Sequence, residues 1–81
     1  MRSKPQSRHL EYIAANMRRQ RLARGWTQTQ LGREAGLPRA TIAQIEVCRH
    51  RTITLETLIP ITRALGTSVD ALLMPLEPIA A

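Results

Sequence analysis

Apolar positions in this chain recur with the period of a helix rather than a strand. Leu10, Ile13, Ala14 and Met17 follow at steps of three, one and three, which places them along one helical face. Ser7 can cap that helix near Arg8, and Gly25 offers a left-handed stop after Arg24. Thr27 and Gln30 then form a T-x-x-Q capping box, in which each side chain meets the other residue's amide. Leu31 and Ala35 make the inner face of a short second helix, and Gly36 ends it. A third helix is predicted over about 38–47, opening at Pro38, whose missing amide proton is harmless in a first turn. Ile42 and Ile45 share its inner face, and Glu46 falls beside them, where a carboxylate needs a partner. Its opposite side displays Ala40, Ala43, Gln44 and Val47, with Arg39 flanking the first turn. Thr54 caps a fourth helix bearing Leu55, Leu58, Ile61 or Thr62, and Leu65, stopped by Gly66. Pro60 should kink or delay that helix, since it cannot donate to the ladder. Ser68 caps a fifth through Val69, Leu72 and Leu73, and Pro75 and Pro78 end regular structure. The expectation is an all-α chain of five short helices joined by tight turns.

Composition supports a small helical core. Only 2% of the 81 residues are aromatic, against 43% hydrophobic overall, so Leu, Ile, Val, Met and Ala must fill the interior. Strand-built folds favour aromatic and β-branched residues instead. The chain divides into a flexible basic arm at 1–9, one domain at 10–73 and an apolar tail at 74–81. No run of eighteen apolar residues suggests a membrane span, and no charged leader with an apolar stretch suggests export. A cytoplasmic protein is the expectation, and the single Cys48, which cannot form an internal disulfide, agrees with a reducing compartment.

Charge narrows the partner. Twelve basic residues stand against six acidic ones, and every base lies at or before Arg63. A small domain so cationic favours polyanions. No helix joins a basic face to a Trp- and Leu-rich one, which argues against a membrane-surface binder. Catalysis is not expected: no nucleophile has a His and acid partner, carboxylates are not paired, and no Gly-rich phosphate loop occurs. Cys48, His50 and His9 are too few for a structural zinc site, so neither metal nor cofactor is expected.

The stretch 17 to 73 resembles the Cro/cI-type, lambda-repressor-like helix-turn-helix family. The matching segments are "MRRQRLARGWTQTQL", "AGLPRATIAQIE", "TLETL" and "RALGTSVDALL", about seventy percent of the chain. The resemblance implies a five-helix DNA-binding domain whose third helix enters the major groove, working as a homodimer on a palindromic operator. Position by position it makes Arg39, Ala40, Ala43 and Gln44 the base-reading residues. Thr27 and Gln28, at a helix start whose free amides welcome an anion, fall on phosphate. Arg49, Arg51 and Thr52 fall in the loop that lies along the backbone. Arg21 and Glu46 match an ion pair between the first and third helices, and Trp26 matches a large apolar residue of the core. Leu72, Leu73, Met74, Leu76 and Ile79 offer apolar surface for the dimer. Three departures stand out: Cys48 replaces a usual Gly, Pro38 a usual side-chain cap, and Gln20 a usual apolar residue. A double-stranded-DNA-binding transcriptional regulator, most simply a repressor, is the leading expectation. The alternative is an antitoxin or a restriction–modification or phage controller that also binds a protein partner such as a toxin. The tail 74–81 is short for a toxin-binding segment, and no sensor domain suggests a small-molecule ligand.

Overall fold

In the computed structural model residues 8–47 and 52–75 are described. They form α1 (Arg8–Ala23), α2 (Gln28–Ala35), α3 (Arg39–Glu46), α4 (Leu55–Leu65) and α5 (Val69–Leu72). No strand occurs among the described residues.

Helix α1 begins at Arg8, where the sequence places its start, so the last two residues of the 1–9 segment are helical. The expected cap Ser7 lies outside the described residues. Ile13, Ala14 and Met17 are buried along the predicted stripe, with Leu10 half-buried. The capping box of α2 is complete. Thr27 Oγ1 accepts from the Gln30 amide at 3.0 Å, and Gln30 Oε1 accepts from the Thr27 amide at 2.7 Å. At its far end Gly36 takes φ 74°, a left-handed conformation that a Cβ would disfavour. This lets the Leu37 amide reach back to the Gly32 carbonyl at 2.8 Å. Gly32 must also lack a side chain, because a Cβ there would lie 2.6 Å from the Leu37 carbonyl oxygen. That contact fixes how closely α2 turns into α3.

Pro38 is the N-cap of α3 and makes no side-chain cap bond, its carbonyl accepting from Thr41 and Ile42. Ile42 and Ile45 are buried. Val47 closes the helix at φ −100°, and Cys48 lies outside the described residues. Thr54 and Ser68 cap α4 and α5 as predicted, accepting from the amides three residues on.

Three expectations need correcting. Pro60 does not delay α4, which starts at its Thr54 cap and runs unbroken from Leu55 to Leu65. The carbonyl it would deprive belongs to exposed Glu56, where water can replace the lost bond. Leu55 is not an inner residue: it is 60% exposed, and buried Thr62 takes a place in the interior. The Thr62 hydroxyl donates to the Ile59 carbonyl at 2.7 Å, so the buried oxygen is satisfied within its own helix. Leu72 is wholly buried and therefore belongs to the core, not to an exposed dimer surface.

Met17, Leu31, Ile42, Ile61, Leu65 and Leu72 form the sealed centre, drawing on all five helices. Trp26 is half-buried and packs against this cluster rather than inside it. The Arg24 guanidinium covers its ring, 5.7 Å from the centroid, and donates to the Leu65 carbonyl at the end of α4. With Arg21, Asn16 is one of two buried polar residues of α1. Its side-chain nitrogen lies 2.8 Å from both the Leu72 and Met74 carbonyls, tying the end of α5 to α1. Arg19 donates to its oxygen at 3.1 Å.

Candidate nucleic-acid interface

Burial of Ile42 and Ile45 dictates what α3 shows to solvent. Arg39, Ala40 and Gln44 are exposed, and Ala43 is half-buried. Positions 39 and 43, and 40 and 44, are four apart, so these side chains stand as neighbours on one outer face. Two alanines give that face a shallow floor between a guanidinium at its start and a carboxamide near its end. Val47, 59% exposed, extends the face with an apolar tip.

Beside α3 lies the start of α2. Thr27 is exposed as the N-cap, but its hydroxyl and its amide are both engaged by Gln30. The amides of Gln28 and Thr29 follow in the first turn, where no helical carbonyl precedes them. No described group accepts from them.

A buried polar cluster holds the two helices together. Arg21 Nε stands 2.7 Å from Glu46 Oε2, and Arg21 Nη2 stands 2.9 Å from Oε1, a two-pronged pairing of α1 with α3. The side chains are only 9% and 3% exposed. Arg21 Nη1 also donates to the Trp26 carbonyl at 2.8 Å, which fixes the turn leading into α2. Gln28 then donates to Glu46 Oε1 at 3.1 Å. One carboxylate thus receives bonds from α1 and α2 and sets both against α3. Gln28 is half-buried in consequence, and one of its two amide protons is already committed.

Thr52 is exposed in the segment leading into α4. Arg49 and Arg51 lie outside the described residues, as do Leu76 and Ile79. Of the remaining apolar candidates, Leu73 is half-buried and Met74 is 59% exposed. The pattern along the chain gave no hint of Asn16, whose value depends on the distant carbonyls of Leu72 and Met74. Arg18 was also missed. It lines a cleft of about 250 Å³ together with Arg21, Gln28, Glu46 and Val47. Its position three residues before Arg21 was the available signal, since that spacing puts the two on one side of α1.

No described helix is long and apolar enough to cross a membrane. A sequence profile of the helix-turn-helix family matches residues 17–72. The control protein C.SmaI of Serratia marcescens is 41% identical over 63 residues, covering 78% of this chain and 74% of that protein. The Neisseria hypothetical transcription factor of Neisseria meningitidis serogroup B is 36% identical over 63 residues, and the match spans 58% of its length. The crystal structure of hypothetical transcription factor NHTF from Neisseria superposes with a TM-score of 0.78 at 32% identity, covering 93% of this chain and 86% of that one. The exposed outer face of α3, the open start of α2 and the Arg21–Glu46 pair between α1 and α3 therefore sit in a chain that belongs to the Cro/cI-type helix-turn-helix family of DNA-binding transcriptional regulators.

Proposed function

We propose that this regulator is a repressor that binds a palindromic operator as a homodimer and reads each half-site with α3. The observation that carries the reading is the outer face of α3, where Arg39, Ala40 and Gln44 stand exposed over a helix anchored by two buried isoleucines. Arg39 can grip guanine through O6 and N7, Gln44 can pair with adenine, and Ala40 suits a thymine methyl. Ala43 keeps the helix close to the groove floor. The start of α2 at Thr27 and Gln28 receives a phosphate through its free first-turn amides. Arg49, Arg51 and Thr52 follow the backbone and set register rather than sequence. Leu73 and Met74, with Leu76 and Ile79, supply the surface between copies; Leu72 supports it from within.

Selection of binding sites from random duplexes, followed by titration of Arg39→Ala, tests this. Arg39→Ala should lose about 1–3 kcal/mol against the selected site and little against a scrambled one. Equal losses on both would make Arg39 a phosphate clamp and pass sequence reading to Gln44 or to DNA shape. A second reading gives the chain a protein partner, as an antitoxin or as a controller. Similarity to a relative called a control protein favours the controller, and the genes beside this one would separate the two.

A further inference from the structure

We propose that Arg18 grips a DNA backbone phosphate, making α1 a third element of the interface beside α2 and α3. The inference rests on the DNA-binding reading of α3 and adds a contact to it. The cleft lined by Arg18, Arg21, Gln28, Glu46 and Val47 lies where α1, the start of α2 and the end of α3 converge. Two of its charges cancel, because Arg21 is bound to Glu46 through two nitrogens. Arg18 is exposed and has no hydrogen bond or ion pair among the described residues. Its guanidinium is thus the uncompensated charge of a cleft whose one carboxylate is already occupied.

The neighbours of Arg18 point to an anion of a particular kind. Gln28 is held by Glu46 and retains a second amide proton. Val47 is largely exposed and lies at the end of the base-reading helix. A helix seated in the major groove has a sugar–phosphate strand passing its end, which brings a phosphodiester over this cleft. Arginine suits that anion, since its planar fork can donate two parallel bonds to phosphate oxygens. The bound anion is a singly charged phosphodiester of the DNA strand; free inorganic phosphate offers the same oxygen geometry and is the rival source.

Titration of the native chain and of Arg18→Gln on selected and scrambled duplexes, at several salt concentrations, distinguishes these. Arg63→Gln removes the same charge from the exposed end of α4 and serves as the control. Each phosphate contact contributes about 0.9 to the slope of log affinity against log salt. A fourfold rise in salt should therefore cost Arg18→Gln about 3.5-fold less affinity than the native chain on either duplex. Arg63→Gln and Arg18→Lys should keep the native slope. A native slope in Arg18→Gln, or an equal flattening in Arg63→Gln, would overturn the proposal. Melting in inorganic phosphate against chloride at equal ionic strength adds a second arm, where native and Arg18→Gln chains should respond alike. Phosphate stabilisation confined to the native chain, with unchanged duplex slopes, would assign the cleft to a free anion and overturn the backbone contact. A native chain that bound no duplex would instead overturn the regulator reading beneath it.

Discussion

Glu46 has a buried carboxylate, and its environment decides whether α3 holds its place. Taking one charge out of water is costly, and two-pronged pairing with Arg21 offsets that cost only while both partners are present. Glu46→Ala or Arg21→Met should each destabilise the chain by about 3–5 kcal/mol, the latter by leaving a buried carboxylate facing Gln28 alone. Thermal unfolding measures both, and the Arg21→Met/Glu46→Ala double variant should lose well under the sum of the two single losses. Strictly additive losses would mean that the pair contributes no coupling. The need for a partner at Glu46 was legible, because its helical position puts it beside Ile42 and Ile45. Asn16 was not legible in the same way. An asparagine within an apolar stripe looks like a solvated residue until the carbonyls of Leu72 and Met74 are brought to 2.8 Å of its nitrogen.

Helix starts and stops were the features most readily read, because their causes lie within a few residues. The Thr27–Gln30 box, the Thr54 and Ser68 caps and the glycines at 36 and 66 each bound a helix as expected. Pro60 was misjudged because proline harms a helix through the carbonyl four residues back, and that group is at an exposed position here. Gly32 carried a constraint that local rules did not reveal. It sits inside α2, where glycine weakens a helix, and its reason is the carbonyl of Leu37 folded back across the turn. Gly32→Val should push the turn away from α2, destabilising the chain by about 1–3 kcal/mol through overpacking. Because the turn sets the angle of α3, binding to the selected duplex should weaken at temperatures where the variant is still folded. Chemical denaturation and duplex titration report the two effects; a variant matching the native chain in both would show that the turn yields without consequence.

Across the whole molecule, charge and apolar surface are segregated. All basic residues lie at or before Arg63, while the last eighteen residues carry only Asp70 and Glu77. Two cationic copies bound side by side repel one another least where this near-neutral end meets. Met74 is 59% exposed there, next to half-buried Leu73. The homodimer reading predicts that sedimentation of the full chain on DNA gives two copies per operator, and that a chain ending at Met74 loses cooperative pairing. Equal monomeric masses for both, at high concentration and on DNA, would sink it. Leu72 illustrates why such surface was overcounted from sequence. Hydrophobicity marks a residue for burial, but it does not say whether the covering surface is its own chain or a second copy.

The amino-acid sequence by itself determined the helices, their order and the residues on the outer side of α3, because caps and periodicity act over one or two turns. It also determined the cationic bias, which needs no coordinates. Tertiary structure decided which groups met across the chain, Asn16 with the end of α5 and Arg24 with the end of α4, and it set the two-pronged geometry of the Arg21–Glu46 pair that the family resemblance implies. It placed Leu72 inside and Leu55 outside, and it gathered Arg18, Gln28 and Val47 around one cleft. Those outcomes depend on how helices are set against one another, and that setting is fixed by packing between residues remote in sequence rather than by any local preference.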